Sequence, residues 1–341
     1  MTPTDTRHTR SVRFHGLRLT VTAESEVLTA LAARLVEFPV AGSEHAPHLR
    51  FEYYPFADER SQRVQRPSGS GRTVLDLTGG SVDYFETSEE LYVDLGQGGR
   101  ALCALRTQQV EVAYPGAEPR SAWLCSHPLF TIPLAELLKR AGLYMLHAAG
   151  LADGGRGLLV AGASGAGKTT LCLTLLRAGF GFLADDTVFL TRGSGGVTDG
   201  KPVGVSVLAF PDEVDLTEQT AAFFPELQSP DCAPPALVRP KRPLCATRLY
   251  GVNPTWECQP VMLVFPQISP VPASVLLPMS KDEAFLQLLC NVVRTEVDSS
   301  QAHLDALAML VRQCECYRLH AGRDFLALPE LFRSALARAG T

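Results

Sequence analysis

The sequence predicts an α/β protein in two parts. These are a strand-rich α+β N-terminal domain over residues 1–125 and an α/β domain over residues 126–341. Three observations point to this. At 341 residues the chain exceeds one small module, since a domain usually takes roughly 100–200 residues. Its first third repeatedly alternates apolar and polar residues, the period of half-buried strands. From residue 143 an apolar run, a glycine-rich loop, a helix-like stretch and a further apolar run follow one another, the alternation of a sheet with a parallel pair. Apolar residues at 46% and charged residues at 20% exclude whole-chain disorder and fibrous repeats.

In the first part, Val12–Val21 reads as one strand, and Glu26–Phe38 as a helix with Ser25 as its N-cap. Leu49–Phe56 reads as a strand and Pro67–Arg72 as a turn or loop. The strands Thr73–Leu77, Val82–Glu86, Leu91–Leu95 and Ala101–Arg106 follow, with Gln97-Gly98-Gly99 as a hairpin turn and Gln109–Tyr114 as a fifth. No catalytic constellation stands out here; a role in substrate binding or assembly is expected, since sheet edges accept extended peptides.

Pro128–Ala141 has a helical pattern and is expected to bridge the two parts. Beyond it, Leu143–Leu151 and Gly157–Ala161 are apolar runs, Lys168–Ala178 is helical and Phe182–Leu190 is strand-like. Val203–Phe210 and Val261–Phe265 are further strand candidates, separated by a proline-rich stretch from Pro225 to Pro260. Helices at Lys281–Val293 and Gln301–Cys314, a strand at Tyr317–Leu319 and a helix from Pro329 complete the chain.

Acidic residues number 36 against 31 basic, a formal charge of −5, which argues against a dedicated binder of nucleic acid or anionic membrane. No apolar stretch approaches the roughly 20 residues of a membrane span. MTPTDTRHTR has no apolar core behind its charges, so a cytoplasmic protein is expected. The nine cysteines lack C-x-x-C spacing and read as reduced thiols rather than disulfides or metal ligands.

One motif carries chemistry. Gly162-Ala163-Ser164-Gly165-Ala166-Gly167-Lys168-Thr169 matches G-x-x-x-x-G-K-[ST] in full, between an apolar strand and a helix. Glycines let successive N–H groups turn inward at an anion, and the helix N-terminus adds partial positive charge. A nucleoside triphosphate is expected on Gly162–Thr169 and Thr170, with Lys168 at the β- and γ-phosphates and the Thr169 hydroxyl on Mg²⁺.

Asp185-Asp186 ends the next apolar run, 185 − 168 = 17 residues after Lys168, enough for one helix, a turn and a strand. A right-handed crossover would bring that strand close to the loop strand. Phosphoryl transfer there needs one carboxylate for Mg²⁺ and often a second for the accepting hydroxyl, and strand neighbours point to opposite sides. His147 fits two descriptions, a satisfied core histidine or a group that orients an aspartate or touches phosphate. Arg239, Lys241 and Arg242 likewise form either a solvated face or a source of charge for a phosphate site. Arg323 reads as a turn residue in an ion pair.

From Leu146 to Leu190 the chain resembles the HPr kinase/phosphorylase family, in particular its HPr-kinase-like serine kinases. The resemblance rests on His147, the loop Gly162–Thr169, and Asp185-Asp186 in L-A-D-D-T-V. It implies a kinase domain related to phosphoenolpyruvate carboxykinase behind an unrelated N-terminal domain. It also implies ATP- and Mg²⁺-dependent phosphorylation of a serine on a protein, with Asp186 taking the serine proton. The family's later glycine-rich signature is not found; Val203–Leu216 occupies that place, where Glu213 is the candidate for a further metal-side carboxylate. The layout of Pro128–Gly150 and Lys281–Asp324 looks more like the peptide kinases of natural-product gene clusters, which phosphorylate a serine on a precursor peptide.

The expectation is therefore a serine kinase using ATP and Mg²⁺, with a protein or peptide acceptor, no nucleic-acid or membrane partner, and self-assembly left open. Asp186, Asp185, His147 and Lys168 are its catalytic candidates, and Thr169 and Asp185 its metal ligands. The alternatives are a small-molecule kinase of the same loop type and a nucleotide-gated binding module with little catalysis.

Overall fold

The computed structural model describes residues 6–42, 48–68, 71–77, 80–116, 119–193, 197–198, 201–202, 204–228, 241–292 and 297–339. It is a mixed α/β structure that divides into two compact units, the first ending at Ala141 and the second beginning at Gly142.

The first unit contains β1 (His8–Phe14), β2 (Leu17–Ala23), α1 (Ser25–Arg34), β3 (His48–Pro55), β4 (Arg72–Leu77), β5 (Gly80–Glu86), β6 (Glu90–Asp94), β7 (Arg100–Ala104), β8 (Gln109–Tyr114), α2 (Pro119–Ser126) and α3 (Pro128–Arg140). Its eight strands form one sheet in the order β1-β2-β3-β8-β7-β6-β5-β4. The run Val12–Val21 is a hairpin rather than one strand, because His15 and Gly16 take φ of 45° and 83° and reverse the chain. β2 and β3 run parallel, so the chain must cross over between them, and α1 lies on that crossover, burying Val27 and Leu31.

The division between units falls later than the expected 125/126, because α2 and α3 pack within the first unit. Phe130 of α3 lies 5.1 Å from Phe51 of β3, ring to ring, and buried Arg34 of α1 donates to Thr131 Oγ1 at 2.8 Å. The buried phenol of Tyr53 donates to the Cys125 carbonyl at 3.1 Å, which ties α2 to the same sheet. A helix apolar around most of its surface, as α3 is, needs cover on several sides rather than a linker position.

The second unit continues with β9 (Leu143–Leu146), β10 (Ala148–Asp153), β11 (Arg156–Ala161), α4 (Lys168–Arg177), β12 (Gly181–Ala184), β13 (Val188–Arg192), β14 (Val197–Thr198), β15 (Lys201–Pro202), β16 (Val205–Leu208), β17 (Val214–Leu216), α5 (Glu218–Ala221), β18 (Arg242–Leu244), α6 (Ala246–Tyr250), β19 (Glu257–Ile268), β20 (Val275–Pro278), α7 (Lys281–Leu289), α8 (Val297–Gln313), β21 (Glu315–Ala321) and α9 (Leu328–Ala339). Its main sheet runs β12-β10-β11-β19-β16-β13-β9, and β21 and β20 extend it from β19. The pairs β11–β19 and β19–β21 are parallel. Along β19, Met262 and Val264 face one core with α4 and α9, while Leu263 and Phe265 face another with α7 and α8. Both faces of the sheet are thus covered, as a partly parallel sheet requires.

β12 does not neighbour β11. β10 lies between them, antiparallel to both. No described helix is long and apolar enough to cross a membrane.

Candidate functional site

Two apolar runs that read as single strands are each broken in the middle. The run Leu143–Leu151 breaks at His147, and Phe182–Leu190 breaks at Asp185–Thr187. Before and after each break the chain pairs with different strands. β9 pairs with β13, with Leu146 opposite Val188, while β10 pairs with β12, with Gly150 opposite Ala184. Both chains therefore step from one part of the sheet to the other at the same level. A residue freed from ladder pairing has room to point its side chain at the other break. His147 Nδ1 accordingly faces Asp186 Oδ1 at 3.2 Å. The His147 N–H donates to the Asn291 carbonyl at 3.0 Å, which fixes the backbone beneath the ring.

The glycine loop stands beside this corner. Gly165 and Gly167 have φ of 81° and 98°, a region that costs an L side chain roughly 1–2 kcal/mol. Gly167 is the N-cap of α4, so the free N–H groups of the first turn open onto the loop. Lys168, 8% exposed, donates from Nζ to the Gly162 carbonyl at 2.7 Å and the Ala163 carbonyl at 3.3 Å. Burial lowers its pKa and Lys241 adds to the lowering, against the opposing pull of Asp186 and Asp185. Thr169 Oγ1 donates to Asp185 Oδ2 at 2.9 Å. Thr170 turns the other way, its hydroxyl donating to Thr220 Oγ1 of α5 at 3.4 Å.

The two aspartates have opposite electrostatics. Asp185 is buried, and its Oδ1 has no hydrogen-bond partner among the described residues. Burial first, then the charges of Asp186 and Asp212, push its pKa up to about 7 against the Thr169 hydrogen bond and Lys168. Asp186 keeps 61% of its side-chain surface exposed. The crowding of the corner works to raise its pKa. The hydrogen bond and charge of His147, with Lys168 and Lys241, outweigh that and hold it below the usual carboxylate value. One carboxylate is thus starved of positive charge in the interior, and the other is kept ionised at the surface.

The donor set at Asp185 suits a small hard cation. It comprises a hydroxyl, a buried carboxylate with an unsatisfied oxygen, and a second carboxylate near enough to act on the first. Mg²⁺ is typically held by one or two carboxylates together with phosphate oxygens and waters. No cluster of three or more His, Cys, Asp or Glu that could hold a metal occurs among the described residues. Any such ion would therefore complete its shell from a ligand, and Thr169 and Asp185 are the protein groups that would hold it.

The remaining candidates fall in different places. Asp212, beside the expected Glu213, is a carboxylate whose charge acts on Asp185. Nothing in Pro211-Asp212-Glu213 tells the two apart, because which neighbour faces the site depends on a chain path with no regular period. Of the basic trio, Arg239 lies outside the described residues. Lys241 reaches the site electrostatically, acting on both Lys168 and Asp186. Arg242 is buried instead, donating from Nη2 to the Leu227 carbonyl at 2.7 Å, with Nε 4.0 Å from Glu218. Arg242→Met is expected to cost about 1.5–3 kcal/mol of stability, the range for losing a hydrogen bond to a charged group, and to leave nucleotide affinity unchanged; denaturant unfolding and nucleotide titration check the two halves.

No family model and no curated protein matches the chain. Among solved structures, the HPr(Ser) kinase/phosphatase from Coxiella burnetii is similar over 57% of this chain and 95% of its own, at 14% sequence identity and a TM-score of 0.31.

Proposed function

We propose that the second unit transfers the γ-phosphate of ATP to a hydroxyl, with a serine on a protein or peptide as acceptor. The observation that carries this is the division of labour between adjacent carboxylates. Asp185 is bonded to the hydroxyl of Thr169 at 2.9 Å, and Asp186 faces His147 at 3.2 Å. A site that only bound nucleotide would need the first arrangement. The second adds an exposed, ionised carboxylate whose orientation is fixed by a ring nitrogen, which is what a general base for an incoming hydroxyl requires.

In this reading the N–H groups of Gly162–Thr169 and the start of α4 bind the phosphates, and Lys168 turns from the loop carbonyls to the phosphate oxygens. Mg²⁺, held by Thr169 and Asp185, supplies neutralisation of the phosphate charge when bound. Asp186 accepts the proton of the attacking hydroxyl, and His147 keeps that carboxylate aimed and anionic. Lys241 adds positive charge on the same side, where negative charge accumulates on the transferring group.

The test is incubation of the protein with MgATP and candidate acceptor proteins and peptides, followed by mass spectrometry. One added phosphate on a serine is the expected result. Release of inorganic phosphate with no modified acceptor across such a panel would count against transfer.

A further inference from the structure

We propose that the base of the nucleotide rests on an apolar surface made by Ile268 and the Phe223–Phe325 pair. The assignment rests on the phosphate site proposed above and adds the part that it leaves open, the place of the nucleoside.

The argument begins with the sheet. β19 pairs in parallel with β11 as far as Val160 opposite Val264, then runs on to Ile268, past the point where β11 ends at Ala161. This overhang lies along the glycine loop. A β-carbon built on Gly162 would stand 3.8 Å from Pro266 Cδ, and one on Gly167 would stand 3.9 Å from Ile268 Cγ1. Pro266 is buried, whereas Ile268 is 67% exposed. An isoleucine that open, beside a phosphate-type loop, offers apolar surface whose burial under a bound base would be favourable.

Order along the sheet gives the direction. The acidic pair follows β12, on one side of β11, and Ile268 ends β19, on the other. A triphosphate laid over the loop with its terminal phosphate at Asp186 points its nucleoside toward β19 and β21.

A second group of contacts meets the same place. Ile268 pairs with Ala321 at the end of β21, and the chain continues from there to Phe325. Phe325 packs its ring 4.8 Å from that of Phe223, which is 48% exposed and follows α5. α5 in turn meets α4 through Thr220 and Thr170, 3.4 Å apart. The contacts therefore run around the first turn of α4 and return to it. The loop bearing Phe325 is fixed in place. Asp324 accepts from Ser274 N at 2.9 Å and Ser274 Oγ at 2.5 Å, and the Gly322 N–H donates to Ser274 Oγ at 2.9 Å. A flat heteroaromatic base suits this surface, because aromatic and branched aliphatic side chains pack against a ring face without needing to match its edge.

The experiment compares binding of MgATP and of magnesium tripolyphosphate, which has the phosphates and no base, to wild type, Ile268→Asn and Phe223→Ala. The expected result is a loss of ATP affinity of about tenfold or more in Ile268→Asn, as for losing one well-buried aliphatic contact, a smaller loss in Phe223→Ala, and tripolyphosphate affinity unchanged in both. Three results would overturn the base site: equal affinity of wild type for the two ligands, unchanged ATP binding in both variants, or parallel loss of both ligands. If wild type bound neither ligand, the phosphate site itself would fail, and the base site with it.

Discussion

Replacing Asp186 with Asn is expected to slow phosphoryl transfer by about 10²–10⁴-fold, the contribution typical of a positioned general base, with ATP binding largely preserved. Asn keeps the size of the side chain and a hydrogen-bonding oxygen for His147, so little of the corner should move. What it lacks is the basicity to take a proton. The same variant separates a kinase from a nucleotide-gated binding module, which has no use for a base and would keep its ATP response intact. Wild-type rates in Asp186→Asn would refute the role. A companion measurement tests the histidine. Asp186 is held below the usual carboxylate value chiefly because the His147 hydrogen bond and charge, with Lys168 and Lys241, outweigh its crowding. His147→Ala removes the largest of the favourable influences. The acidic limb of the pH–rate profile should then move to higher pH, because the base now protonates sooner as pH falls. A mere packing role for His147 would lower activity at every pH and leave the limb in place.

What was legible in the sequence divides along a physical line. The loop Gly162–Thr169 could be read because its requirements are local: each glycine answers a backbone need within a few residues, and Lys168 and Thr169 open the helix that follows. Asp185 and Asp186 were legible as a pair for the same reason. Their separate environments were not visible, since burial of one and exposure of the other depend on strands far apart in the chain. The pairing of His147 with Asp186 was hidden more deeply. His147 sits inside an apolar run that periodicity reads as unbroken, and only the pairing of β9 with β13 and of β10 with β12 shows that this run breaks level with the acidic pair. Hydrophobic pattern reports which residues are inside and says nothing about where a chain changes partners. Arg242 and Lys241 make the same point: adjacent in sequence and equal in charge, one is spent on the Leu227 carbonyl and the other acts on the site.

The second large effect concerns Asp185, pH and Mg²⁺. Unfolded, this carboxyl titrates near the ordinary carboxylate value of about 3.9; folded, burial and then the charges of Asp186 and Asp212 raise it to about 7. Between those two values the folded state keeps a proton that the unfolded state has released. The folded state is therefore favoured at low pH, and this contribution is lost as pH rises through about 7. At about 1.4 kcal/mol per pH unit the loss is bounded near 4 kcal/mol. A divalent cation reverses the balance, because it binds only the ionised carboxylate. Metal-free protein should thus show a lower Tm at pH 8 than at pH 5.5, and excess Mg²⁺ should raise Tm at pH 8 with little effect at pH 5.5. Other groups titrate in the same window, so the decisive quantity is the difference from Asp185→Asn. That variant carries a neutral side chain of the same size and should be more stable than wild type at pH 8 without metal. It should also be nearly indifferent to Mg²⁺, and inactive. An equal rise of Tm with Mg²⁺ in wild type and Asp185→Asn would mean that the ion is held elsewhere. A flat difference between the two proteins across pH would mean that the buried carboxylate is already charged, with Lys168 alone sufficient to hold it so.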